Sequence, residues 1–88
     1  MKIKDGFVLR SVMGNSVVIA VGEASKNFHG MVQLNESAAE IWKYIAEGKS
    51  RKEICDLMFD KYDVERSQLE RDVDKTVATL VENGFVEL

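Results

Sequence analysis

The run Gly30-Met31-Val32-Gln33-Leu34-Asn35-Glu36-Ser37-Ala38-Ala39-Glu40-Ile41-Trp42 constrains this chain more than any other segment, because a short extended stretch passes directly into an amphipathic helix. Met31 to Leu34 reads as a strand. Asn35 reads as the helix cap, since its side-chain oxygen can accept a hydrogen bond from a free amide of the first turn, and Glu36 suits the positive end of the helix dipole. Ala38, Ile41, Trp42 and Ile45 then share one apolar face. Strand and helix are joined with no intervening loop.

The flanking sequence supplies the rest of a sheet and two further helices. Phe7 to Val12 is rich in β-branched and aromatic residues, Gly14-Asn15 offers a pair suited to positive φ, and Ser16 to Val21 runs apolar, which together spell a hairpin. The unbroken apolar character of the second strand makes it central, with the first and third strands as neighbours. Gly22 to His29 reads as a loop, with Phe28 a candidate to fold back onto the core. After the first helix, Gly48 stands where a left-handed C-terminal cap is expected, and Ser50-Arg51-Lys52-Glu53 is a capping box opening a second helix with Ile54, Leu57, Met58 and Phe59 as its apolar face. Ser67-Gln68-Leu69-Glu70 repeats that box, and Leu69, Val73, Val77, Leu80 and Val81 carry a third helix to Asn83-Gly84. Phe85 to Leu88 has the makings of a final short strand. The expected fold class is α+β: a three-stranded antiparallel β-meander followed by three α-helices.

Size and composition bound what such a chain does. Its 88 residues leave room for one domain, 1–88, and one small core. A hydrophobic content of 45% with 31% charged residues is ordinary for a soluble globular protein. The longest apolar run, Val17 to Ala20 with Val21, falls far short of the ~20 residues that cross a bilayer, and Met1 to Asp5 lacks the apolar centre of a signal peptide. No membrane association is expected, and the single Cys55 agrees with a reducing, cytoplasmic setting.

These residues, in this order, resemble the PqqD family. Gly30, Leu34, Asn35, Ala38, Ile41 and Trp42 look like its strand-to-helix motif, and Gly48, Ser50, Glu53 and Ile54 like the start of its second helix. Tyr62-Asp63-Val64 looks like its inter-helix turn, and Asp72-Val73, Leu80 and Gly84-Phe85-Val86 like its third helix and close. The resemblance implies a winged-helix-like domain that binds the leader segment of a ribosomally made precursor peptide as an added strand, in the groove between the third strand and the third helix. It further implies delivery of that peptide to a radical S-adenosylmethionine enzyme or another maturase. The product implied by the family name, pyrroloquinoline quinone, does not follow for this chain.

An independent physical argument singles out the third strand. Both outer strands of a meander carry unpaired amides and carbonyls, which proteins usually blunt with charge or proline. The first strand carries Arg10, with Lys2 and Lys4 nearby, whereas Met31-Val32-Gln33-Leu34 carries neither charge nor proline and is competent to pair with an extended peptide. Alternation puts Val32 and Leu34 on one face and Met31 and Gln33 on the other, with Leu34 expected in the core and Val32 near the groove floor. Leu69, Val73, Thr76 and Val77 are the candidates for the helical wall, although an apolar helical stripe is equally the signature of core. The segment Phe85 to Leu88 is a rival occupant of the open edge. That same edge leaves a monomer and an edge-paired homodimer as alternatives.

Other chemistry finds little support. Cys55, beside Ile54 in the second helix, reads as a buried structural thiol; His29 is the only histidine, and no metal-ligand cluster or cofactor motif accompanies it. Trp42 reads as core. Asp72 and Asp74, two apart on a helix, point in different directions and read as solvated or peptide-facing charges. No catalytic residues are expected, and an enzyme is disfavoured. Two alternatives to a leader-binding adaptor stand: a winged-helix DNA-binding regulator, and a protein-protein adaptor that reads no leader. A net charge of −3, a pI near 5.1 and an acidic third helix argue against DNA.

Overall fold

The computed structural model describes residues 1–26 and 30–88, so the expectations for Phe28 and His29 lie outside the described residues. Strands β1 (Lys2–Ile3), β2 (Phe7–Val12), β3 (Asn15–Ala20) and β4 (Met31–Leu34) precede helices α1 (Glu36–Ala46), α2 (Arg51–Lys61) and α3 (Arg66–Glu82), and β5 (Val86–Glu87) closes the chain. The main sheet is antiparallel in the order β2-β3-β4, followed by three helices, as the sequence leads one to expect. Among the described residues no helix is long and apolar enough to cross a membrane.

The β2–β3 hairpin turns at Met13-Gly14, one position earlier than the Gly14-Asn15 pair suggests. Val12 lies opposite Asn15, and Met13 and Gly14 take φ of 52° and 81°. Positive φ at both central residues is the type I′ geometry whose twist matches that of the strands. Beyond β3, Gly22–Lys26 forms a short 3-10 helix where a plain loop was expected. Phe85 to Leu88 does supply a strand, but it pairs with β1, through Ile3 opposite Val86, and leaves β4 alone.

Helix caps explain where the first two helices begin. The Asn35 side chain accepts from the Ala38 amide at 2.8 Å. Ser50 and Glu53 form the reciprocal capping box, at 2.9 and 3.1 Å. Gly48, at φ 86°, closes α1, with its amide bonded to Ile45 O and that of Lys49 to Tyr44 O. The box expected at Ser67 is absent: α3 starts at Arg66 with Glu65 as a cap that makes no side-chain bond. Glu70, the residue meant to complete that box, instead accepts from Arg66 Nε at 2.9 Å.

The core joins the inner face of the sheet to all three helices. Val18, Ile41, Trp42, Ile45, Ile54, Met58, Val73, Leu80 and Phe85 are buried together, with Phe7, Leu9, Val32 and Leu34 packed against them. Phe85 is its aromatic hub, 5.0 Å from the Phe7 ring and 6.0 Å from that of Trp42 in an edge contact. Two helical faces differ from expectation. On α1 the buried alanine is Ala39, and Ala38 is half-exposed. On α2 the inward face is Ile54, Cys55 and Met58, leaving Leu57 and Phe59 exposed, with the Arg66 guanidinium 5.5 Å above the Phe59 ring. Cys55 is fully buried, and that burial pushes its thiol pKa up.

Candidate functional site

Strand β4 is an edge, with β3 on one side and no strand of the described residues on the other. Which of its backbone groups are free follows from the hairpin. Val21 N–H donates to Gly6 O at 2.7 Å. Backbone bonding alternates residue by residue along an antiparallel ladder, so Val17, Ile19 and Val21 turn their groups to β2 while Ser16, Val18 and Ala20 turn theirs to β4. Ser16 faces Leu34 and Val18 faces Val32. Val32 and Leu34 are therefore bonded inward, and the amides and carbonyls of Met31 and Gln33 point out of the sheet.

That open edge runs beside a groove of about 470 Å³. One side is Gln33, Leu34 and Asn35 with Ser37 and Ala38 at the start of α1; the other is Asp72, Lys75, Thr76, Thr79 and Leu80 of α3. The helical wall thus repeats at spacings of three and four, which places its residues on one face. Asp72 is oriented by Gln68, whose Nε2 donates to Oδ1 at 3.0 Å. Ser37, Asp72 and Thr76 also border a smaller recess of about 150 Å³, walled by Ile41, Met58, Tyr62, Val64, Leu69 and Val73. The groove offers backbone pairing along a polar wall; the recess offers room for one apolar side chain.

Tyr62 is set in the recess by a carboxylate outside it. Glu40, with a side chain only 13% exposed, accepts from Tyr62 OH at 2.8 Å, Tyr44 OH at 3.0 Å and Lys61 Nζ at 3.1 Å. Burial alone would raise the Glu40 pKa, but the bonds from Tyr62, Lys61 and Tyr44 outweigh it and hold the carboxyl below its usual value. The α2–α3 contact is tied differently. Arg51 pairs with Asp74, and Arg66 reaches Asp56 at 2.6 Å as well as Glu70. The Arg51 hydrogen bond lowers the Asp74 pKa, and Arg66 followed by Lys52 lowers that of Asp56.

The residues singled out from sequence fall in three places. Met31 and Gln33 carry the outward backbone groups, and Gln33 and Leu34 line the groove. Val32 does not reach its floor: it lies opposite the fully buried Val18 and packs on the core, while Leu34 does both. On α3, Thr76 borders groove and recess alike. Leu69 and Val73 are buried and show only toward the recess, and Val77 packs against the core outside both linings. Sequence reasoning passed over Ala38, Lys75 and Thr79. The signal for Lys75 and Thr79 was the 72-75-76-79 spacing, but polar residues on a helix ordinarily read as solvated.

The fold and groove define a class, a small α+β domain with an unpaired strand edge alongside a helix. The chain belongs to the PqqD family: the family model described as Coenzyme PQQ synthesis protein D matches residues 15–86. No curated protein matches the chain significantly. Among solved structures, it is similar to a chain of "TbiB1 in Complex with the TbiA(beta) Leader Peptide", with a TM-score of 0.82, 26% identity, and coverage of 99% of this chain and 95% of that one. It is also similar in fold to a chain of "Lasso peptide synthetase B1 complexed with the leader peptide", at a TM-score of 0.81, 24% identity and coverage of 99% and 96%. Among the described residues no group of His, Cys, Asp and Glu is placed to hold a metal ion.

Proposed function

We propose that this chain binds the leader segment of a ribosomally made precursor peptide by strand addition to β4 and presents it to a modifying enzyme. The observation that carries the reading is that the Met31 and Gln33 backbone groups turn away from β3, on the open edge where Gln33 and Leu34 border a groove walled by α3. Backbone pairing supplies affinity with little regard to sequence, and side chains alternating into the groove meet Leu34, Ala38 and Thr76. The recess beside Tyr62 and Val64 takes one apolar side chain and with it sets register. Leu69 and Val73 support that recess from the core side, and Val77 acts only through packing. Membership of the PqqD family and the leader-bound state of the similar structures support this assignment.

The chain does no bond chemistry. It acts by positioning, raising the effective concentration of substrate at its partner enzyme. A radical S-adenosylmethionine enzyme is the partner proposed from the family, and the cytoplasm, where precursor peptides are made, is the compartment. The DNA-binding alternative is poorly served by α3: Arg66 is engaged by Asp56 and Glu70, Arg71 bonds Gln68, and the groove face carries Asp72.

Calorimetric titration with synthetic leader segments of the precursor encoded beside the chain, with duplex DNA as control, tests the reading. One-to-one peptide binding that withstands moderate salt is expected. Absence of peptide binding together with salt-sensitive DNA binding overturns it.

A further inference from the structure

The sheet has a second face, turned away from the core. Val18 points into the core, so its ladder neighbours Val17 and Ile19 point away, and the register assembles two rows on the outside. Val8, Ile19 and Met31 form an apolar row straight across the three strands, and Arg10, Val17 and Gln33 form the next. None of these side chains belongs to the main core cluster; Val17 is buried at 7% exposure, and Val8 and Ile19 are half-buried. Arg10 is the only charge in either row. Met31, at the end of the first row, is 65% exposed.

We infer that this outer face is where the peptide-modifying enzyme docks, through an apolar and weakly charged surface of its own. The inference rests on the leader-binding reading. A peptide strand added to β4 carries, opposite Met31, a residue whose side chain stands on the same outer face. The row Val8-Ile19-Met31 is thereby extended by peptide, and one continuous surface offers the enzyme both carrier and substrate. Charge supports the choice of face. The helical side carries ion pairs, Arg51 with Asp74 and Arg66 with Asp56 and Glu70, so a partner docking there would meet a charged surface. Interface centres are depleted in charge, and the outer rows fit that pattern.

The test uses Val8→Lys, half-buried on β2 at the far end of the row from the peptide edge, with Val12→Lys, at an exposed neighbouring site, as a second variant should the first fail to fold. Leader affinity is measured first by calorimetry, then modification of the precursor by the enzyme encoded with it, then oligomeric state by sedimentation. The expected result is leader affinity within about twofold of the unaltered protein and a loss of about tenfold or more in modification at limiting carrier. Unchanged modification by a folded, leader-competent variant overturns the inference. Conversion of a dimer to monomers with modification intact also overturns it, in favour of a second copy as occupant. Failure of the unaltered protein to bind leader removes the premise and is read before any variant is made.

Discussion

The two outer strands of the main sheet, β2 and β4, each have a neighbouring strand of that sheet on one side only, yet only β4 borders the groove walled by α3. β2 is six residues long and carries Arg10; β4 is four residues long, uncharged, and borders the groove walled by α3. The difference teaches that an open edge becomes a platform when something lies opposite it. Free amides give affinity, and the wall decides what a peptide's alternate side chains meet.

The largest effects separate wall from core. Leu69→Ala is expected to cost ~2–5 kcal/mol of stability, because Leu69 is buried among the helices, and chemical denaturation measures it. Thr76→Glu, at a half-exposed position shared by groove and recess, should leave stability within ~0.5 kcal/mol while cutting leader affinity about tenfold. Equal losses in folding and binding for Thr76→Glu would make it core and move the wall elsewhere.

Proline placed along β4 sharpens the comparison within one strand. Val32→Pro deletes an inward amide and leaves a Val18 carbonyl without its partner, at a cost of ~1–3 kcal/mol in folding. Gln33→Pro deletes an outward amide, which edge strands tolerate, so folding holds and leader affinity falls about tenfold. The counterpart on the other edge is Ser11→Pro. Ser11 is exposed, and its amide also points outward by the same alternation; leader affinity should stay within about twofold. A matching loss at Ser11 would put the peptide on β2.

The smallest effect concerns the carboxylate that steadies Tyr62. The folded-state pKa of Glu40 is lowered, so its contribution is present above the ordinary carboxylate value of 4.5 and is lost as pH falls through the lower folded value. Glu40→Gln should destabilise the protein by about 1 kcal/mol near neutrality, and the difference from the unaltered protein should shrink as pH is taken below 4.5. Thermal melts over that range measure it.

The parts of this molecule that are written locally were legible in the sequence. Asn35, Ser50 with Glu53, and Gly48 each announce a helix end through a bond to backbone a few residues away, and the strand Met31 to Leu34 is bounded by Gly30 and Asn35. What is decided between competing local bonds, or by residues distant in sequence, was not. Ser67 with Glu70 has the form of a cap, but Arg66 draws Glu70 into an ion pair and the helix begins earlier. The hairpin turn moved by one residue, from Gly14-Asn15 to Met13-Gly14. Because ladder bonding alternates, that single step exchanges the inward and outward residues of β3 and hence of β4. It is why Gln33, and not Val32, offers its amide to the open edge. The helical wall was half legible: Thr76 stood out, while Lys75 and Thr79 gain meaning only from the strand opposite them.

Amide hydrogen exchange of the protein with and without bound leader tests the central claim most directly. Slowed exchange at Met31 and Gln33, with Leu9 and Ser11 on the β2 edge unchanged, is the predicted result. A saturating leader that leaves Met31 and Gln33 exchanging freely, or protects the β2 edge instead, would contradict strand addition at β4.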